Sequence, residues 1–473
     1  MTASFDRDVI VQQMRRIFMP RGVAVVGASG TPGKLGYAIV DNLKNGGFAG
    51  HVYPVNPGAD EILGYRCYKS LDEVPDDTDV ALISIPARSV ASVVPSAGAK
   101  GIAALVVISS GFAETGEREL QEELVRLARE HNVRVLGPNI YGYYYTSMDL
   151  CATFCTPYNE RGGIALVSQS GGVGMAILGY SRSRGMGVSA IVGLGNKCDV
   201  DEDDLLEFFG QDPNTEVIAI HMEDLKDGRA FFDTAQRIAR QKPVVVLKAG
   251  WTDLGARAAA SHTAALAGED RIYDAAFAQS GVIRAHTLEE LLDWSRALQL
   301  LPDPEGEDVV IITCAGGLGV LLADACVDRG LGLMSMPADL DEEFKACIPP
   351  FGASGNPIDI TGGEPPETYR KVIDIGLTDR RVHSLIIGYW HTILTPPMVF
   401  AELLGEAVAD ARSKGIHKPV VVALAGDTEV ETAARYLEER GVPAYPYAAE
   451  KAVAALAARY QFWRSKNDAG ISS

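Results

Sequence analysis

IALVSQSGGVG (164–174) is an apolar run that stops at a serine and opens onto a glycine-rich segment able to start a helix. VIITCAGGLG (310–319) repeats it. Two further pairs follow in the same order: RQKPVVVLKAG (240–250) with IHKPVVVALAG (416–426), and QSGVIRA (279–285) with ERGVPAY (439–445). One α/β unit is therefore used twice. The surrounding apolar runs place a first strand series at Val23–Val26, Val52–Val55, Val80–Ile85, Ala104–Ile108 and Val133–Leu136. A second runs through Gly163–Val167, Ser189–Val192, Val217–Ile220 and Val244–Leu247. A third follows the linker LPDPEGED (301–308), with Val309–Thr313, Ser384–Ile387 and Val420–Leu424. Short β-rich runs alternating with amphipathic stretches predict doubly wound parallel sheets, with ligands at the strands' carboxyl ends. The expected domains are 1–150, 151–301 and 308–473.

The composition agrees with this reading. The chain has 473 residues, 47% apolar and 22% charged, which suits about three globular domains and excludes a disordered or fibrous chain. Forty-three basic against 62 acidic residues give −19, which argues against a broad nucleic-acid grip. Seven cysteines without a repeating spacing point to reduced thiols, and no signal peptide or membrane-length apolar run is evident. A cytoplasmic location is expected.

The two copies differ at one place. Lys242 and Ser280 are 38 positions apart, whereas Lys418 and Arg440 are 22 apart, so the first copy carries about 16 extra residues. They fall around WTDLGARAAASHTAALAGED (251–270), a small-residue stretch after a strand, where α/β domains grow functional loops. It holds His262, flanked by Ser261 and Thr263 and without a counterpart in the sibling. A neutral imidazole is nucleophilic near pH 7 and can accept a phosphoryl group. Such a histidine needs a carboxylate to steady its charged form, and Glu223, after the strand in VIAIHMEDLKDG (217–228), fits that role. It also needs an anion site, and Ser168, Ser170 and Gly171 supply a helix start for phosphate. A serine-hydrolase elbow is disfavoured, since GxSxG needs glycine where residue 168 is serine. The acidic run DVDEDDLLEFF (199–209) reads as a helix start, and no metal site is expected.

VAVVGASGTPGKLGYAIVDNL (23–43) is strand, loop and helix, with glycines at 27, 30, 33 and 36 that let backbone N–H groups approach a phosphate. The next strand, HVYPVNP, ends on Asn56-Pro57 without the carboxylate an NAD site uses for its ribose. Lys34 adds positive charge, and coenzyme A is favoured over NAD. ISIPARS (83–89), ISSGFAE (108–114) and GPNIYG (137–142) leave the same edge.

These motifs, in this order, resemble the α-type subunit of ADP-forming (nucleoside-diphosphate-forming) acyl-CoA synthetases, relatives of succinyl-CoA synthetase. The resemblance spans nearly the whole chain, and SHTAALAG (261–268) is its most specific element. It implies an N-terminal Rossmann-like CoA-binding domain followed by two flavodoxin-like domains. It further implies that His262 is phosphorylated, that Glu223 stabilises it, and that Ser168, Ser170 and Gly171 form the phosphate site. Ser29, Gly30, Thr31 and Pro32 fall where the family contacts CoA, with Lys34, Asn56, Pro86 and Ser110 around them. The nucleotide site of this family lies on an ATP-grasp module. The resemblance therefore implies a separate ATP-grasp β subunit, a hetero-oligomer (a heterotetramer), and ATP or ADP with Mg²⁺ mainly on that partner. The implied reaction interconverts acyl-CoA, ADP and phosphate with acid, CoA and ATP through an acyl phosphate. A nucleotide-independent acyl or carbamoyl transferase and a non-catalytic CoA-binding regulator are the alternatives. Two departures stand out. Ala264 replaces the glycine of SHTGALAG, and Ile140 and Tyr141 replace the CL of GPNCLG, followed by Tyr143, Tyr144 and Tyr145. This aromatic run leaves the acyl group open to a bulkier or unusual acid, so acetate is not assumed.

Overall fold

The computed structural model describes residues 7–158, 160–263 and 270–470, apart from the side chains of 259–263 and 468–470. It divides into two compact units, residues 1–292 and 293–473.

In the first unit, helix α1 (Arg7–Phe18) precedes a five-stranded sheet. Its strands are β1 (Gly22–Val26), β2 (His51–Val55), β3 (Thr78–Ile83), β4 (Ala104–Val107) and β5 (Arg134–Leu136), with α2 (Leu35–Asn45) after β1. Every pairing is parallel, in the order β2-β1-β3-β4-β5. β1, β3 and β4 are buried throughout, as strands covered on both faces require.

The same unit holds a seven-stranded sheet. It comprises β6 (Gly142–Tyr145), β7 (Leu150–Thr153), β8 (Arg161–Ser168), β9 (Val188–Gly193), β10 (Val217–Met222), β11 (Val244–Lys248) and β12 (Ile283–Ala285). Five strands run parallel in the order β9-β8-β10-β11-β12, and the β6–β7 hairpin is added antiparallel beside β9. Helices α3 (Gly171–Ser183), α4 (Glu202–Gln211) and α5 (Asp253–Thr263) follow β8, β9 and β11. By its hydrogen bonds, residue 150 is the first residue of a strand in this second sheet.

The hairpin settles the tyrosine run. Tyr143, Tyr144 and Tyr145 are buried in β6. Their hydroxyls donate to Ile17 O (2.6 Å), Thr156 O (2.8 Å) and Asp212 Oδ1 (3.0 Å). Phe18 stacks on Phe208 and meets Tyr143 edge-on, so the run packs α1 against the second sheet. Tyr143, Tyr144 and Tyr145 thus pack the hairpin, whereas Tyr141 lies against Gly174 of α3.

The second unit has five parallel strands: β13 (Val309–Thr313), β14 (Ile358–Asp359), β15 (Ser384–Trp390), β16 (Val420–Ala425) and β17 (Ala444–Pro446). Their order is β14-β13-β15-β16-β17, with α6 (Gly316–Asp328) after β13. All three sheets share the winding 2-1-3-4-5, the flavodoxin-like order. The repeat read from the sequence is thus a repeat of topology, with β8–α3 matching β13–α6.

Candidate active site

The sequence-selected residues of the first sheet lie on loops leaving its carboxyl edge. Gly27 has φ +90°, and a Cβ there would sit 2.8 Å from Ser84 O, so only glycine carries the chain out of β1. Ser29 is buried, and its Oγ accepts a 3.0 Å hydrogen bond from Thr31 N, which tightens the turn. Gly30, Thr31, Pro32, Gly33 and Lys34 are exposed, and nothing lies within 4 Å of where a Cβ of Gly30 or Gly33 would be. Lys34 caps α2 with extended backbone. Asn56 works on the loop itself: its Nδ2 donates to Ala28 O (2.8 Å) and its Oδ1 accepts from Gly58 N (2.8 Å). Pro86 and Ser110 are exposed on neighbouring loops of the edge. The loop leaves open space at its tip and backbone N–H groups at a helix start, an arrangement that fits a phosphate-bearing ligand such as CoA.

The second sheet builds its site at the same kind of edge. Ser170 caps α3, its Oγ accepting from Val173 N at 3.4 Å. Gly171 and Gly172 are exposed, with nothing within 4 Å of their Cβ positions, so the helix start is open to an anion. Ser168 is placed differently from its expected role. It is 1% exposed, and its Oγ donates to Ser170 O (2.8 Å) and lies 3.3 Å from His221 Nδ1. Its hydroxyl shapes the turn from within.

Glu223 follows β10 and is partly exposed. Its backbone N–H donates to Gln169 Oε1 at 2.7 Å, while Gln169 Nε2 donates to Asp224 Oδ1 at 2.5 Å. The residue between the two serines of SQSGG therefore ties this turn to the Glu223 segment. His262 falls in the last turn of α5, and its side chain lies outside the described residues. Helix α5 begins five residues after β11, with Gly255 N donating to Thr252 Oγ1 (3.0 Å), and it packs on Ala113–Thr115 of the SGFAE loop.

The sequence reading overlooked Gln169, His221, Lys197 and Lys248. Lys248 ends β11, is 2% exposed, donates to Ala249 O (2.6 Å) and sits 4.8 Å from the Tyr273 ring centroid. Burial draws its pKa below the usual lysine value, opposed by the nearby charges of Asp270, Asp224 and Glu223. The signal was available, because the aligned sibling residue is Leu424. The acidic run, in contrast, is consumed internally. Arg134 pairs with Asp199 (2.8 Å) and Asp204 (2.7 Å), Glu202 with Lys197 (2.9 Å), and Asp201 and Asp204 form a capping box.

His221 gives a pH prediction. Burial, aided by the Lys248 charge, pushes its pKa down to about 4. The folded value lies below the ordinary 6.5, so the stability it contributes is present above pH 6.5 and lost as pH falls towards 4. The full effect is about 3 kcal/mol. Urea unfolding between pH 7 and 4.5 should lose stability less steeply in His221→Asn than in the wild type. Equal slopes would show that this imidazole is not the titrating group.

No helix among the described residues is long and apolar enough to cross a membrane. Comparison with known proteins matches three family models in chain order: a CoA-binding domain over 21–146, a succinyl-CoA ligase-like flavodoxin domain over 161–298, and a ligase-CoA domain over 309–470. The chain is 44% identical over 462 residues to the ADP-forming acetate–CoA ligase I subunit alpha of Pyrococcus furiosus, covering 96% of this chain and 99% of that one. The corresponding II subunit alpha of that organism is 39% identical, with 93% and 96% covered. A solved structure, the dinucleotide-forming acetyl-coenzyme A synthetase 1 of Candidatus Korarchaeum cryptofilum in complex with phosphate and ADP, superposes with a TM-score of 0.93. It is 43% identical, with 97% of this chain and 98% of that chain covered. An open loop after the first strand, an exposed helix start tied to the Glu223 segment, and an inserted histidine helix thus sit in a chain matched over nearly its whole length by such subunits, and the chain belongs to the α-subunit family of ADP-forming acyl-CoA ligases.

Proposed function

We propose that this chain is the CoA-binding and phosphoryl-carrying subunit of an ADP-forming acyl-CoA synthetase, with His262 as the carrier. The observation that supports it most is the placement of α5. The helix that bears His262 leaves the strand edge shared by Ser170–Gly172 and Glu223, and it packs on the SGFAE loop of the first sheet's edge. That placement supports a carrier on this helix serving both edges.

In the acid-forming direction, phosphate held by the start of α3 attacks the thioester carbonyl. The C–S bond breaks, and CoA leaves as the thiol once protonated. The resulting acyl phosphate gives its phosphoryl group to a neutral His262 nitrogen: the N–P bond forms, the P–O bond to the acyl group breaks, and the acid departs with the electron pair as carboxylate. The ring, still protonated on its other nitrogen, is now cationic, and the Glu223 carboxylate balances it. Phosphohistidine then passes the group to ADP on a partner, which we take to be an ATP-grasp β subunit with Mg²⁺ at its nucleotide site. The relatives' designation as alpha subunits supports a partner, and seven free cysteines suit a cytoplasmic enzyme.

Two experiments test this. In calorimetry the chain should bind CoA and not NAD, and Gly30→Asp should weaken CoA at least tenfold by setting a carboxylate against the phosphates. Tighter binding of NAD than of CoA would overturn the assignment of the first sheet. ATP-dependent synthetase activity should require the partner, and full activity of this polypeptide by itself would show that the nucleotide site is misplaced.

A further inference from the structure

Lys197 is 1% exposed and sits in a loop that bends sharply after β9. Its φ is +47°, a left-handed conformation that lysine adopts only when its surroundings hold it there. The loop is pinned from both sides: Asn196 N donates to Pro138 O (3.0 Å) and Cys198 N to Gly137 O (2.9 Å). Gly195 packs so closely that a Cβ would lie 2.3 Å from Pro138 O. The Lys197 ammonium donates to Glu202 Oε1 (2.9 Å) and to the carbonyl of Asp224 (2.8 Å), and it lies 3.1 Å from Asp224 Oδ1.

Burying this charge is costly. Desolvation opposes the ammonium, and the attraction of Glu202 and Asp224 more than offsets it, so the group stays protonated. A buried ion pair of this kind is weak evidence for added stability, because an apolar replacement often folds as well. It does fix geometry. Glu223 is held on its N–H by Gln169, and the carbonyl of the following residue, Asp224, is held by Lys197. Gln169 and Lys197 also converge on one oxygen, Asp224 Oδ1. The segment carrying Glu223 is thus fastened at that residue's N–H and at the next residue's carbonyl by two buried side chains.

We propose that Lys197 is a positioning residue for Glu223, holding its backbone fixed while the charge on the His262 imidazole appears and disappears during turnover. This rests on the reading of Glu223 as the partner of phosphorylated His262. A carboxylate free to drift would follow that alternating charge, and each cycle would lose the preorganisation that makes the charge stabilisation effective.

The test uses the assembled complex and the single-turnover rate of His262 phosphorylation from labelled ATP. The variant Lys197→Met/Glu202→Gln removes one charge of each sign and keeps similar shapes, so the local net charge is unchanged. It should keep CoA affinity within about twofold and slow phosphorylation about tenfold or more, as a drift of about an ångström would. In a Glu223→Gln background the same pair should slow the step no further. A wild-type rate, or losses that multiply, would overturn the proposal. Asp224→Asn supplies a second route that leaves the Lys197–Glu202 pair intact; it should slow phosphorylation several-fold, and again only when Glu223 is present. If Glu223→Gln alone phosphorylates at the wild-type rate, the underlying reading of Glu223 fails and this proposal falls with it, a result obtained with Lys197 untouched.

Discussion

Replacing His262 by asparagine should eliminate phosphate incorporation from labelled ATP and lower nucleotide-coupled turnover by at least about three orders of magnitude, roughly 4 kcal/mol of barrier. The amide occupies similar space and has no nucleophilic lone pair, so the phosphoryl group has nowhere to go. The wild-type label should be acid-labile and base-stable, as a P–N bond is and a phosphoserine is not. CoA affinity should be unchanged, because the loop 27–34 belongs to another sheet. Glu223→Gln should be milder. Hydrogen bonds to charged groups are worth about 1.5–3 kcal/mol, so phosphorylation should fall roughly ten- to a hundredfold. Phosphate located by mass spectrometry on Ser168 or Ser170, or persisting in the His262 variant, would refute the mechanism and leave the fold intact.

The strand rhythm and the repeat were legible because buried parallel strands are near-continuous apolar runs, and glycine-rich helix starts punctuate them. Comparing the two copies also isolated the inserted helix. The positioning groups were harder to read. Lys197 reaches Asp224 across 27 positions and Gln169 reaches it across 55, and no local period encodes such partners. The packing role of Tyr143, Tyr144 and Tyr145 was illegible for a related reason. A sequence of aromatic residues does not say whether they line a ligand or a hairpin, and here each hydroxyl is spent on protein partners.

The sibling copy shows how the middle sheet differs from its repeat. Ser168 pairs in register with His221, and the equivalent Thr313 pairs with Gly388. Gln169 and Ser170 align with Cys314 and Ala315, and Lys248 with Leu424. One fold thus carries a polar, charge-bearing edge in one copy and at these positions a largely apolar edge in the other. Topology alone could not distinguish them, since both wind 2-1-3-4-5. The side chains at the strand ends do, and so does the inserted helix.

The second large effect is expected at Gly36, in the first turn of α2. A Cβ there would lie 2.1 Å from Gly27 O, 2.9 Å from Gly27 C and 3.0 Å from Ala28 Cα. All three atoms are backbone, so no rotamer change can relieve the clash; the helix must move away from the end of β1. Overpacking of this sort costs about 1–3 kcal/mol, and the displacement would spread the N–H groups that the loop offers to phosphate. Gly36→Ala should therefore lower the unfolding midpoint in urea and weaken CoA at least tenfold, while phosphorylation of His262 by the partner remains. Gly30→Ala is the matched control for strain. Nothing lies within 4 Å of its Cβ position, so its folding stability should stay at the wild-type level. A Gly36 variant that binds CoA with wild-type affinity while its unfolding midpoint falls would count against this loop as the coenzyme's phosphate site, because the displaced helix start would then not matter to the ligand.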